Sequence, residues 1–121
     1  MATEDDTVRL FLCGDVMTGR AIDQVMPRSC DPALHEPWVR DARQYRILAE
    51  RENGPIPAPL DPGYVWGDAL QWLARRAPDC RIINLETAVS CNDRWWPGKT
   101  VHYRMHPDNV TVLQAAGIDC C

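Results

Sequence analysis

The sequence is short of three things that would assign a protein quickly: basic clusters, long apolar runs and paired cysteine motifs. With 13 Lys+Arg against 17 Asp+Glu the net charge is −4, and Arg75-Arg76 is too small to displace counterions from a nucleic acid. No nucleic-acid partner is therefore expected. The amino end, Met1-Ala2-Thr3-Glu4-Asp5-Asp6, is acidic where a signal peptide would be basic, and the apolar run behind it is far too short for export or membrane crossing. A cytoplasmic location without a transmembrane segment is expected, with residues 1–7 as a disordered tail. Six cysteines are present, but Cys13, Cys30, Cys80, Cys91, Cys120 and Cys121 form no Cys-x-x-Cys pair. Four lie in strand-like apolar runs, where Cys behaves as a small hydrophobe. Cys30 and Cys91, in polar loops, are the two expected to be exposed thiols if any are.

What is present suits one α/β domain. The chain has 121 residues, 45% hydrophobic and 25% charged, enough to bury a core. Its organising stretch is Leu10-Phe11-Leu12-Cys13-Gly14-Asp15-Val16-Met17, where an apolar strand over 8–13 stops at a glycine and delivers a carboxylate. Cys80-Arg81-Ile82-Ile83-Asn84-Leu85-Glu86 repeats the design. Between them, Leu70, Leu73 and Ala77 follow Trp66 at helical spacing. Strand, helix, strand implies parallel pairing, so Asp15 and Glu86 should meet at one carboxyl edge, where open α/β sheets collect ligands. The competing reading makes Asp15 a helix cap and Glu86 a solvated strand end.

Other segments are less regular. Thr18 is the expected cap of a short helix over 17–25. Residues 26–63 hold seven prolines, at 27, 32, 37, 55, 57, 59 and 62, and read as a long excursion: a lid or a disordered loop, with a turn or two of helix within 38–51. A polar loop with Trp95-Trp96 suggests a contact surface. Residues 100–105 should be extended, and Pro107 should open a helix burying Val110, Leu113 and Ala116, closed by Gly117. His102 and His106 have the spacing of a helical metal pair, but a helix opening at Pro107 leaves them outside it. Ile118-Asp119-Cys120-Cys121 reads as the start of a third strand, so the sequence is expected to be the amino-terminal portion of a longer protein.

Four stretches carry a family resemblance: Gly14-Asp15-Val16-Met17-Thr18-Gly19-Arg20, Asn84-Leu85-Glu86-Thr87, Tyr103-Arg104-Met105-His106-Pro107 and Leu113-Gln114-Ala115-Ala116-Gly117-Ile118-Asp119. Together they resemble the amino-terminal part of the bacterial capsule-synthesis (CapA-type) family, associated with poly-γ-glutamate biosynthesis and similar in fold to calcineurin-like metallophosphoesterases. The resemblance implies a partial α/β metallophosphoesterase sandwich over residues 8–121, with parallel strands and crossover helices, cut in its third strand. It implies that Asp15 is a metal ligand, with Asn84 and Glu86 at a second ligand position, for a divalent Mn, Fe or Mg ion. The family's Asn-Asn-His motif and later histidines would complete such a site. Arg20, Arg104 and His106, in the same motifs, are candidates for contact with a phosphoester or polyanionic polymer substrate. A homo-oligomer is compatible with this reading. So is a function of another class, a non-catalytic polymer-binding or assembly subunit using the proline-rich loop and Trp95-Trp96.

Overall fold

Apolar residues after Arg9 form strand β1 (Leu10–Val16), and Cys80–Leu85 forms β2. The computed structural model describes residues 7–121, so most of the tail expected over 1–7 lies outside the described residues. The two strands pair in parallel, Leu10 against Cys80 through Cys13 against Ile83, as a crossover connection requires. β1 continues through the glycine at which it was expected to stop. From Cys13 to Val16 it covers three steps while β2 covers two, from Ile83 to Leu85, and the extra residue forms a bulge at Gly14-Asp15. On the other side of β2, Cys120 bridges Ile82 in parallel, with the Ile83 N–H donating to the Cys120 carbonyl at 3.0 Å. A second parallel pair joins β3 (Ala88–Val89) to β4 (Arg104–Met105).

Helix α1 (Ala21–Val25) follows β1, but Thr18 does not cap it. Arg20 holds the cap position with no side-chain hydrogen bond to the helix end, while Thr18 turns inward: its N–H donates to Thr87 Oγ1 at 3.0 Å and its hydroxyl lies 2.9 Å from Met105 Sδ. Burial decides this, since a hydroxyl packed between two elements finds its partners there.

The proline-rich excursion is ordered and carries helix α2 (Arg43–Asn53), 11 residues with no buried side chain. The prolines bracket this helix at both ends and leave its interior free, so it runs longer than a turn or two. Glu50 ties its last turns by pairing with Arg46 at 2.9 Å and accepting the Ile56 N–H at 3.1 Å. The segment then returns to the core: the Leu60 N–H donates to the Val25 carbonyl at 2.8 Å, and Leu60 packs with Val25, Met26 and Val112 against Ile56, Val65 and Trp66. Burying one such leucine contributes roughly 1.5–3 kcal/mol.

The helix expected from Trp66 is split. A 3-10 turn (Tyr64–Trp66) ends at Gly67, whose φ of 49° leaves the helical region, and α3 (Ala69–Arg76) follows with Leu73 buried. Residues 107–110 are also a 3-10 turn, leading into α4 (Thr111–Ala115). Its tighter winding rotates the apolar face, so Val112, Leu113 and Ala116 are buried and Val110 is not. Gly117 closes the helix at a φ of 61°.

Cys30 and Cys91, expected as exposed thiols, are instead joined in a disulfide (S–S 2.06 Å). The bond fastens the start of the excursion to the end of β3. Across 61 residues no spacing rule could announce it; the fold creates the proximity by seating the Cys30 loop on Asp23, whose carboxylate accepts the Cys30 N–H at 2.8 Å.

Candidate functional site

The carboxyl ends of β1 and β2 bring the sequence motifs together. Asp15 sits in the bulge at a φ of 52°, a left-handed conformation uncommon for non-glycine residues though aspartate is among those that tolerate it best, and bulges of this kind re-aim a side chain. The Asn84 amide, on the neighbouring strand, donates to Asp15 Oδ1 at 2.8 Å. One residue past β2, the Glu86 N–H donates to the Val16 carbonyl at 3.0 Å and continues the ladder. Asp15, Asn84 and Glu86 are all exposed. Glu86 lines an open cavity of about 330 Å³ with Lys99 and Tyr103.

Immediately inside this edge, Thr87 receives the Thr18 N–H. Gly19 lies against the backbone of Arg104, where an added Cβ would come within 2.8 Å of the carbonyl oxygen. The Gly-Asp-Val-Met-Thr-Gly, Asn-Leu-Glu-Thr and Tyr-Arg-Met segments are thus in mutual contact.

The donor set is chemically suited to a hard divalent cation, since it consists of two carboxylates and an amide oxygen. Among the described residues, no group of three or more His, Cys, Asp or Glu is placed to hold a metal ion. Asp15, Asn84 and Glu86 alone do not make such a site.

The three residues expected near substrate are engaged within the protein. Arg20 pairs with the fully buried Glu36 side chain at 2.5 Å, and its guanidinium lies over the rings of Tyr45 and Tyr103 at 4.9 and 4.6 Å. Arg104 donates to Asp93 at 2.9 Å and to the carbonyls of Asn92 and Asp31 at 3.0 and 3.1 Å. His106 caps the following turn, Nδ1 accepting the Asp108 N–H at 3.1 Å. His102, off any helix, donates from Nε2 to the Trp96 carbonyl at 3.1 Å.

Two features were not assigned from the sequence. Asp23, buried in α1, accepts from the Cys30 N–H, the His106 N–H at 2.7 Å and Asn109 Nδ2 at 2.6 Å. The available hint was a lone acid in a short helix whose Ala21, Ile22 and Val25 are apolar, since a buried carboxylate must be satisfied. The other is an aromatic group around the tryptophan loop. His35 stacks on Trp95 with centroids 4.8 Å apart, and His102 meets both edge-on. Asp93 holds this group to Arg104, whose hydrogen bond, with a smaller one from His35, keeps the Asp93 carboxyl below the usual aspartate range.

Fold and edge together define a mixed α/β protein that presents acid and amide side chains at the carboxyl ends of parallel strands. The profile of the family described as bacterial capsule synthesis protein PGA_cap matches residues 9–121, and the chain belongs to that family. It is 46% identical, over all 121 of its residues, to a protein of Mycobacterium tuberculosis named "probable polyglutamine synthesis accessory protein", found in strain CDC 1551 and in the reference laboratory strain. The chain spans 32% of the length of these relatives. No solved structure matches it significantly.

Proposed function

We propose that this chain is part of an accessory protein for synthesis of a bacterial capsule or polyglutamate-type polymer. In this reading the β1–β2 edge contributes Asp15, Asn84 and Glu86 to a divalent-metal, phosphoesterase-like site on a calcineurin-like α/β sandwich. The observation that carries it is the Asp15–Asn84 contact across two parallel strands, made by an aspartate in a bulge with a left-handed backbone. That geometry orients a carboxylate toward open solvent at the sheet edge where ligands collect.

Mn, Fe or Mg bound there would polarise a phosphoryl oxygen and acidify a coordinated water. Asp15 and Glu86 would supply its negative donors, while the Asn84 amide fixes the Asp15 rotamer. Donors beyond these three would come from elsewhere in a protein of the relatives' length. The Cys30–Cys91 bond favours an oxidising compartment over the cytoplasm expected from the sequence.

A second reading, polymer handling without catalysis, is favoured by Trp96, which is 77% exposed beside an open cleft. Turnover of a generic phosphomonoester by the full-length protein with Mn separates the two. The first reading expects turnover that falls at least about a hundredfold in Asp15→Asn. Polymer binding with no turnover in the parent would replace it with the second.

A further inference from the structure

Lys99 is the one lysine of the sequence. It is exposed, and among the described residues its ammonium makes no ion pair or hydrogen bond. It lines three cavities at once. The first, about 260 Å³, is walled by His35, Trp95 and His102. The second, about 480 Å³, extends along the excursion to Arg40. The third, about 330 Å³, reaches Glu86 at the candidate edge. An elongated cleft thus runs from the excursion, past an aromatic wall, toward the sheet edge, with Lys99 in common.

Unpaired cations outnumber unpaired acids along this cleft: Glu36 is neutralised by Arg20, and Glu86, at the end by the sheet edge, is the acid that makes no ion pair among the described residues. Arg104 and Asp93 neutralise one another at 2.9 Å. Arg94, in the first cavity, and Arg40, in the second, make no side-chain ion pair among the described residues. His102 adds a buried Nδ1 without a partner among those residues. Its Nε2–H is committed to the Trp96 carbonyl, so Nδ1 is an acceptor and adds nothing to the positive charge. A net-negative protein that leaves three cations free along one groove has a surface complementary to an extended anion.

We propose that this cleft binds a chain bearing successive carboxylates, with Lys99 as its central anchor and the His35–Trp95 stack as a flat apolar wall for the backbone between them. The choice of carboxylate over phosphate rests on the polyglutamate reading above; the cationic groove stands without it. Lys99 is a point charge on a flexible stem, suited to a carboxylate whose position shifts along a polymer. The disulfide joins the two walls, Cys30 preceding Ala33–His35 and Cys91 preceding the tryptophan loop. The cleft should therefore require the oxidised bond.

The test uses the full-length protein and reads Lys99 by its own peptide. An amine-reactive acylating reagent is applied with and without a short γ-linked glutamate oligomer, and modification of Lys99 is read by peptide mass mapping. Calorimetry on the same oligomer gives its affinity. Expected are several-fold protection of Lys99, an affinity about tenfold weaker in Lys99→Gln, affinity retained in Lys99→Arg, and loss of binding after reduction. Equal binding of the uncharged glutamine oligomer, equal protection by inorganic phosphate, or unchanged affinity in Lys99→Gln would each overturn the proposal. Manganese binding at Asp15 and Glu86 is measured separately, so either site can fail alone.

Discussion

Asp15 holds a backbone conformation that costs an L-residue roughly 1–2 kcal/mol, and its neighbour Asn84 is oriented to meet it. The identity of both residues was legible in the sequence, because an apolar run ending in an acid or amide marks a strand end. The bulge was not, because Gly14 reads equally well as the end of a strand. Arg20 shows the opposite case. Its place in a motif suggested ligand contact, yet the structure encloses it between Tyr45, Tyr103 and the buried Glu36. Nothing local to Arg20 encodes a partner 16 residues away on the excursion. Removing one member of a buried pair strands the other, so Arg20→Gln should destabilise the protein by about 3 kcal/mol in urea or guanidinium unfolding. Loss of ligand binding at unchanged stability would instead make Arg20 a ligand contact.

Secondary-structure elements were read best where periodicity is strong. Parallel pairing of β1 with β2 followed from the strand, helix, strand order, and Leu73 was expected on the buried face of α3. Boundaries failed where 3-10 turns replaced helix, at Tyr64–Trp66 and Pro107–Val110, because i,i+3 and i,i+4 spacing look alike over four residues. The excursion was ambiguous for another reason: its order depends on Leu60 reaching a core assembled from distant segments, and on Cys30 reaching Cys91. Thiol titration in denaturant without reductant should find four reactive cysteines, Cys13, Cys80, Cys120 and Cys121. Cys30→Ala with Cys91→Ala should lower stability by about 4 kcal/mol, from the loop entropy regained by the unfolded chain. Six reactive thiols, or no loss on substitution, would remove the disulfide from this account.

Across the whole molecule, three separated motifs are drawn to one place. β1 supplies Asp15 and, beyond it, Thr18 and Gly19. β2 supplies Asn84, with Glu86 and Thr87 just after it, and β4 supplies the Arg104 backbone that packs on Gly19. A packed junction of this kind explains why Gly19 must be small, and it presents the acids outward on a rigid edge rather than on a loop. No helix among the described residues is long and apolar enough to cross a membrane. The cleft around Lys99 opens beside the same edge, with Glu86 lining both.

The most direct test is calorimetric titration of Mn into the full-length protein and three variants. Asp15→Asn keeps the shape and removes a charge, Glu86→Gln does the same on the neighbouring strand, and Glu52→Gln alters an exposed acid on α2. The account predicts Mn binding by the parent, weakened about tenfold or more by each of the first two changes and unaltered by the third. Equal affinity in the parent, Asp15→Asn and Glu86→Gln would contradict it, and would leave the two acids as a strained strand end and a solvated one.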